Sequence, residues 1–149
     1  MNPNILVTGG TGLLGTHMLR ELLKSGYTHI TATYTQDGSN IPADLRESIQ
    51  WKKLVLPDVQ DCYGVIAGQD WVIHAAGLVS YERSDRYRLL EVNQHGTEQL
   101  IKASLENGVQ HFIYVGSIGA LAAAERPRPS TSRVSAGSIT PSSHSRAVA

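Results

Sequence analysis

Short β-prone runs alternate with helical patterns along most of the chain. Residues 4–7 form an apolar run that ends in a glycine-rich turn, and from Leu13 apolar residues recur at helical spacing until Gly26, where a helix can end. Further β-prone runs occupy residues 30–34, 54–56, 71–74 and 112–115, and helical patterns occupy 59–67 and 86–107. This alternation predicts an α/β fold, a doubly wound parallel sheet of about five strands in which residues 4–7 and 71–74 are adjacent at the switch point.

The pattern ends near Ala124. Residues 125–149 are rich in Ser, Arg and Pro, contain no aromatic residue and have Glu125 as their only acid. Such a composition buries too little apolar surface to offset the entropy of ordering it. We therefore predict a folded unit over residues 1–124 and a disordered tail over 125–149.

Composition narrows the function classes. The 149 residues carry 13 basic and 13 acidic side chains, which argues against nucleic acid or an anionic membrane as a partner. The lone Cys62 excludes a disulfide framework, and the scattered histidines show no metal-ligand spacing. Because no apolar run is long enough for a membrane span and the N-terminus lacks a signal peptide pattern, we expect a cytoplasmic protein.

The turn after the first strand carries the chemistry. Gly9, Gly12 and Gly15 have the spacing that lets a chain turn tightly, approach a pyrophosphate and pack a helix against a strand. A phosphate-binding P-loop is the competing interpretation, since Gly10 and Gly15 are also suitably spaced. It fails because Thr16 and His17 stand where that loop needs Lys and Ser or Thr.

Five segments at matching spacing resemble the extended short-chain dehydrogenase/reductase family, which includes NAD-dependent epimerases, dehydratases and dihydroflavonol-reductase-like enzymes. They are Thr8–Gly15 (TGGTGLLG), Leu56–Val59 (LPDV), His74–Gly77 (HAAG), Val92–Thr97 (VNQHGT) and Phe112–Leu121 (FIYVGSIGAL). The resemblance implies a Rossmann fold, an NAD(P) cofactor and a small-molecule substrate.

The resemblance also implies roles for individual residues. The expected cofactor-binding residues are Gly9, Thr11, Gly12, Leu13, Leu14, Gly15, Tyr34, Asp58, Val59, Ala75, Ala76, Gly77 and Asn93. Ser117 matches the active-site serine. No metal site is expected.

Several of these residues also have purely structural interpretations. Asn93 shares the helix face of Gly96, so its amide needs a partner inside the fold. His74 is more often a packed histidine at a strand end than a catalyst. Residues 116–119 superficially match a hydrolase nucleophile elbow, but Val115 replaces the first glycine that this sharp turn requires.

The second strand decides between the two nicotinamide cofactors. An acid at its end would bind the ribose hydroxyl of NAD, and an arginine would accept the phosphate of NADP. The sequence offers Tyr34-Thr35-Gln36-Asp37, in which Asp37 comes late and no Arg or Lys is close by. The missing acid favours NADP slightly.

One expected element is missing. The family pairs its serine with a Tyr-x-x-x-Lys motif, in which the tyrosine exchanges a proton with the substrate. This sequence has no Tyr after Tyr114 and no Lys after Lys102. We interpret the chain as the NAD(P)-binding part of such an enzyme, catalytically incomplete through a truncation or frame change near Ala124. The alternative is a non-catalytic NAD(P)-binding regulatory module.

Overall fold

The computed structural model describes residues 2–117, so the predictions for the segment 118–124 and for the tail 125–149 lie outside the described residues. The elements in chain order are β1 (Ile5–Thr8), α1 (Leu13–Lys24), β2 (Ile30–Tyr34), β3 (Gln50–Lys53), α2 (Val59–Ile66), β4 (Trp71–His74), a 3₁₀ turn (Arg83–Asp85), α3 (Arg86–Leu90), a π turn (Glu91–His95), α4 (Gly96–Glu106) and β5 (His111–Tyr114).

The five strands form one parallel sheet in the order β3-β2-β1-β4-β5, which confirms the predicted architecture. β1 lies between β2 and β4, with Val7 opposite Ile73 and Thr8 opposite His74. The switch point therefore lies between β1 and β4, as predicted. The carboxyl ends of both strands open onto the same edge of the sheet.

Alternation along β1 builds a core on each face of the sheet. Leu6 packs with residues of β4, α2 and α4, including Val72, Ile66 and Leu100. Ile5 and Val7 point to the other face, where Leu19 of α1 contributes to a second core. Because all of these side chains are buried, β1 is apolar on both faces, as an interior parallel strand must be.

The third strand was predicted in the wrong place. The apolar run 54–56 follows the strand, and β3 itself is Gln50–Lys53, a polar segment paired only with β2 among the described residues. An edge strand is defined by hydrogen bonds to its neighbour, and its side chains can remain partly solvated. Leu54 is instead buried against α2 and α4, and Leu56 lies at their margin.

The helix predicted over residues 86–107 is interrupted. It runs as α3, a π turn and α4, so Asn93 lies in the π turn and Gly96 starts α4. Gly96 allows close packing, since a Cβ there would lie 2.9 Å from Cβ of Leu56. π turns inside helices often mark functional positions.

β5 begins and ends one residue earlier than predicted, at His111–Tyr114. It is an edge strand among the described residues, and Ile113 and Tyr114 are about half exposed. Phe112 packs against the core, whereas Tyr114 lies beside the ring of His74.

Candidate functional site

The glycine-rich turn folds back on itself at the carboxyl end of β1. Gly9 has φ +72°, a conformation that favours glycine. A Cβ on Gly15 would lie 2.2 Å from the carbonyl oxygen of Gly9, so α1 can approach the turn only if residue 15 is glycine. These two glycines therefore have the turning and packing roles that their spacing predicts.

The spacing of Gly10 supported only the rejected P-loop interpretation, yet the structure gives this glycine a close contact. A Cβ at Gly10 would lie 2.8 Å from Cβ of Ala32 and 3.0 Å from the ring of Trp51. Its amide donates to the carbonyl of Thr33 at 3.0 Å, and the amide of Gly9 donates to the Thr33 hydroxyl at 3.2 Å. The turn is thus attached to the end of β2, a connection that only long-range pairing reveals.

The N-termini of α1 and α2 differ in a way that matters for anions. At α1 the N-cap is Gly12, no side chain among residues 2–117 caps the helix, and its first turn has no acid. At α2 the carboxylate of Asp58 accepts from the amide of Asp61 at 2.8 Å, and Asp61 adds a second acid. The amides of the first turn of α1, at Leu13, Leu14 and Gly15, lack acceptors within the helix. They fit an anionic group supplied from outside, such as a pyrophosphate.

The loop after β4 lies directly against this turn. A Cβ on Gly9 would lie 2.8 Å from both N and Cα of Ala76, so only glycine permits this approach. The amide of Ala76 donates to the hydroxyl of Thr8 at 3.2 Å, and the amide of Ala75 donates to the carbonyl of Thr8 at 3.3 Å. The predicted residues of the two segments therefore meet at one place.

Asn93 has the structural partner that its position on the helix demanded. Its Oδ1 accepts from the amide of Leu78 at 2.7 Å, and its Nδ2 donates to the carbonyl of Leu78 at 2.8 Å. Gly77 lies beside it, with Oδ1 of Asn93 3.4 Å from the position of an added Cβ. The π turn thereby fixes the far end of the β4 loop.

His74 is fully buried and packed, as its structural interpretation expected. It lies within hydrogen-bond distance of two hydroxyls, Thr8 at 2.7 Å and Thr97 at 2.9 Å. Burial lowers the pKa of His74 to about 4, so the imidazole is neutral near pH 7.

The end of β2 differs from the expectation that no cation lies near. Arg46 lines a cavity of about 380 Å³ together with Tyr34 and Asp37, and its guanidinium donates to the carbonyl of Ile41 at 3.2 Å. Residues 35–49 connect β2 to the parallel strand β3, and this connection places Arg46 in the same cavity as Tyr34. The carboxylate of Asp37 instead accepts from the amide of Ser39 at 3.0 Å, and the side chain of Ser39, followed by this amide, lowers the pKa of Asp37.

The remaining candidates lie at the margin of the site. Asp58 and Val59 are exposed at the start of α2, where Asp58 has a capping role whatever else it contacts. Thr11 and Leu14 border the turn, and Leu13 is the most exposed of these, at 83%. Ser117 is exposed and follows β5 by three residues at the same edge of the sheet.

Residues 2–117 contain neither a cluster of metal-ligating side chains nor a helix that could span a membrane. No group of three or more metal-ligating side chains occurs in this part of the chain. None of its helices is long and apolar enough to cross a membrane.

An open parallel sheet with a glycine turn at its switch point, leading into the first helix, defines a Rossmann-like domain. The chain belongs to the NAD dependent epimerase/dehydratase family, whose sequence model matches residues 5–145. This match extends beyond residue 124, where the composition changes.

Sequence comparison with individual proteins supports the family membership. The chain is 31% identical over 119 residues to a 3 beta-hydroxysteroid dehydrogenase/Delta 5-->4-isomerase of Mycobacterium tuberculosis, covering 76% of this chain and 31% of the relative. It is 33% identical over 128 residues to a dTDP-glucose 4,6-dehydratase of Streptomyces griseus, covering 78% and 38%. The chain thus spans about a third of the length of these curated relatives.

Solved structures agree as well. A short-chain dehydrogenase/reductase superfamily protein from Agrobacterium tumefaciens with bound NAD is similar with a TM-score of 0.62 and 30% identity. The similar region covers 76% of this chain and 32% of that one.

Proposed function

We propose that this chain is the NAD(P)-binding part of an epimerase, dehydratase or reductase of its family. The observation that carries the proposal is the N-terminus of α1, which is uncapped by any described side chain and faces the carboxyl edge of the sheet at the glycine turn. A pyrophosphate there would accept hydrogen bonds from the amides of the first helical turn and interact favourably with the helix dipole. The NAD bound to the Agrobacterium tumefaciens relative supports this assignment.

Titration of the purified chain with NAD and NADP, followed by calorimetry, tests the proposal. Gly12→Asp is the sharpest variant, because φ −77° and ψ 165° at Gly12 suit an N-cap residue. The new carboxylate should cap α1 and stabilise the fold, while it repels the pyrophosphate. Two like charges about 4 Å apart repel by roughly 1 kcal/mol in water and roughly 4 kcal/mol in a partly buried site, so binding should weaken by about fivefold or more.

Gly12→Ala controls for size, since any Cβ at this position would lie 3.2 Å from the carbonyl oxygen of Gly9. Weaker binding in the Asp variant than in the Ala variant, without a loss of thermal stability, supports the proposal. Equal binding by wild type and Gly12→Asp contradicts it.

We also propose a preference for NADP, because Arg46 lies beside the end of β2 and the carboxylate of Asp37 is turned toward Ser39. Arg46→Gln should weaken NADP binding by about tenfold and leave NAD binding unchanged, since a charged hydrogen bond contributes roughly 1.5–3 kcal/mol. Arg20→Gln is the matched control, because Arg20 is a partly exposed arginine of α1 that is paired with Asp44. Tighter binding of NAD than of NADP by the wild type would refute the preference.

The proposed contribution of this chain to the reaction is binding and orientation. The sequence contains Ser117 but no Tyr-x-x-x-Lys pair, so it lacks the groups that exchange the substrate proton in the family. We therefore expect no turnover of sugar-nucleotide or ketone substrates by the chain alone. Cofactor oxidation that disappears in Ser117→Ala would overturn this expectation.

A further inference from the structure

A buried histidine joins three segments of the fold, β1, β4 and α4, through side-chain hydrogen bonds. The ring of His74 lies at the end of β4, with Nδ1 2.7 Å from the hydroxyl of Thr8 on β1 and Nε2 2.9 Å from the hydroxyl of Thr97 on α4. All of its side chain is buried, and the rings of Phe112 and Tyr114 on β5 lie beside it at 6.1 and 5.7 Å.

The contacts of Thr97 determine which ring nitrogen carries the proton. The hydroxyl of Thr97 donates to the carbonyl of Asn93 at 2.7 Å, and a carbonyl can only accept. The single hydroxyl hydrogen is therefore engaged, so the Thr97 oxygen must accept from Nε2–H of His74. A neutral imidazole with a proton on Nε2 has none on Nδ1.

The other end of the ring agrees with this direction. Because Nδ1 is then an acceptor, the hydroxyl of Thr8 donates to it. The Thr8 oxygen in turn accepts from the amide of Ala76 at 3.2 Å. Five groups thus form one directed series: the amide of Ala76, the hydroxyl of Thr8, the ring of His74, the hydroxyl of Thr97 and the carbonyl of Asn93.

The two ends of this hydrogen-bonded series lie beside the loop after β4, residues 75–78. At one end the Ala76 backbone packs on Gly9, where an added Cβ would approach it to 2.8 Å. At the other end the side chain of Asn93 holds both backbone groups of Leu78. Residues 75–77 of the loop are therefore within one residue of a group in the series, and Leu78 is bonded to the side chain of Asn93.

We propose that His74 is a positioning residue for the dinucleotide site. As the neutral Nε2–H tautomer it joins Thr8 to Thr97 and so holds the β4 loop against the glycine turn. The ligand in this inference rests on the proposed function, whereas the tautomer and the loop geometry do not. Protonation of the ring would give two donors and reverse the Thr8 bond, which burial of the imidazole disfavours.

The first test is NMR of the full chain with ¹⁵N-labelled histidine near pH 7. We expect His74 to show a protonated Nε2 and an unprotonated Nδ1, with the Nε2 proton protected from exchange. A dominant Nδ1–H tautomer, or a doubly protonated ring, overturns the proposal whether or not any cofactor binds.

The second test compares Thr97→Val, which removes the hydroxyl, with Thr97→Ser, which retains it. Thr97→Val should accelerate exchange of the Ala76 amide and weaken dinucleotide binding, each by about tenfold, the effect of losing one buried hydrogen bond. Thr97→Ser should restore both. Thr28→Val is the matched control, because Thr28 precedes β2 at the amino ends of the strands, where its hydroxyl accepts from Asn2 in an exposed contact.

The outcomes separate the two proposals. If wild type binds neither NAD nor NADP, the proposed function fails, and the tautomer and the Ala76 exchange rates still decide the role of His74. If wild type binds and Thr97→Val matches it in exchange and affinity, His74 does not position the site.

Discussion

Acidification should destabilise the fold through His74. Burial lowers the pKa of His74 from 6.5 to about 4 in the folded chain. Between these values the unfolded chain binds a proton that the folded chain does not, so stability falls as the pH drops below 6.5 and this contribution levels off below pH 4. At 1.36 kcal/mol per unit of pKa, the loss between pH 7 and pH 5 is about 2 kcal/mol.

Urea denaturation at pH 7 and pH 5 measures this loss. His74→Asn keeps an acceptor near Thr8 but cannot titrate, so the difference between its stabilities at the two pH values should be about 2 kcal/mol smaller than that of wild type. His17→Asn is the matched control, because His17 is exposed on α1, and it should retain the wild-type difference.

His74→Gln, which keeps a donor toward Thr97, serves if the Asn variant does not fold. Equal pH dependence in wild type and both His74 variants would refute the reasoning. So would an NMR titration of His74 with a midpoint near 6.5.

Four further predictions concern packing, helix capping and burial. Gly15→Ala should destabilise the fold by about 1–3 kcal/mol in urea denaturation, because its methyl group would overlap the Gly9 carbonyl. Gly64→Ala, with no atom within 4 Å of the added Cβ, should stabilise α2 by roughly 0.5–1 kcal/mol, and equal effects of the two changes would contradict the packing argument. Asp58→Ala should cost about 1 kcal/mol by uncapping α2, and an unchanged urea midpoint would exclude that role. Burial, together with the nearby carboxylates of Asp58 and Asp61, raises the pKa of the Cys62 thiol to about 11. The thiol should therefore resist alkylation at pH 8 until the chain is unfolded. Rapid labelling of the native chain, measured by mass spectrometry, would show that the site opens.

The part of the fold that the sequence predicts well is encoded locally. The run that becomes β1, the glycine turn and α1 follow one another within about 20 residues, and each has its own signal: β propensity, turn chemistry or helical periodicity. The positive φ of Gly26 beyond α1 and of Gly68 beyond α2 is likewise a local requirement that glycine meets.

Local signals are weaker where a strand lies at an edge. The apolar run 54–56 marks the entry of the chain into the core, whereas the polar residues 50–53 pair with β2. Hydrophobicity reports burial and pairing reports hydrogen bonds, and at an edge strand these two properties need not coincide. Arg46 was missed for a related reason. It lies 12 residues after Tyr34 in the sequence, and only the fold of the crossover 35–49 places both in one cavity.

The sequence by itself determined the order of strands and helices, the glycine turn and its place at the switch point, because neighbouring residues carry those signals. Only the tertiary structure decided that Thr8 and Thr97, from distant segments, pair with the two ring nitrogens of His74. The same holds for the hydrogen bond between Asn93 and the backbone of Leu78. The physical reason is that a buried polar group must find a partner, but its type does not specify which residue will be brought to it. Here the parallel pairing of β1 with β4 makes that choice, since it places residue 8 opposite residue 74.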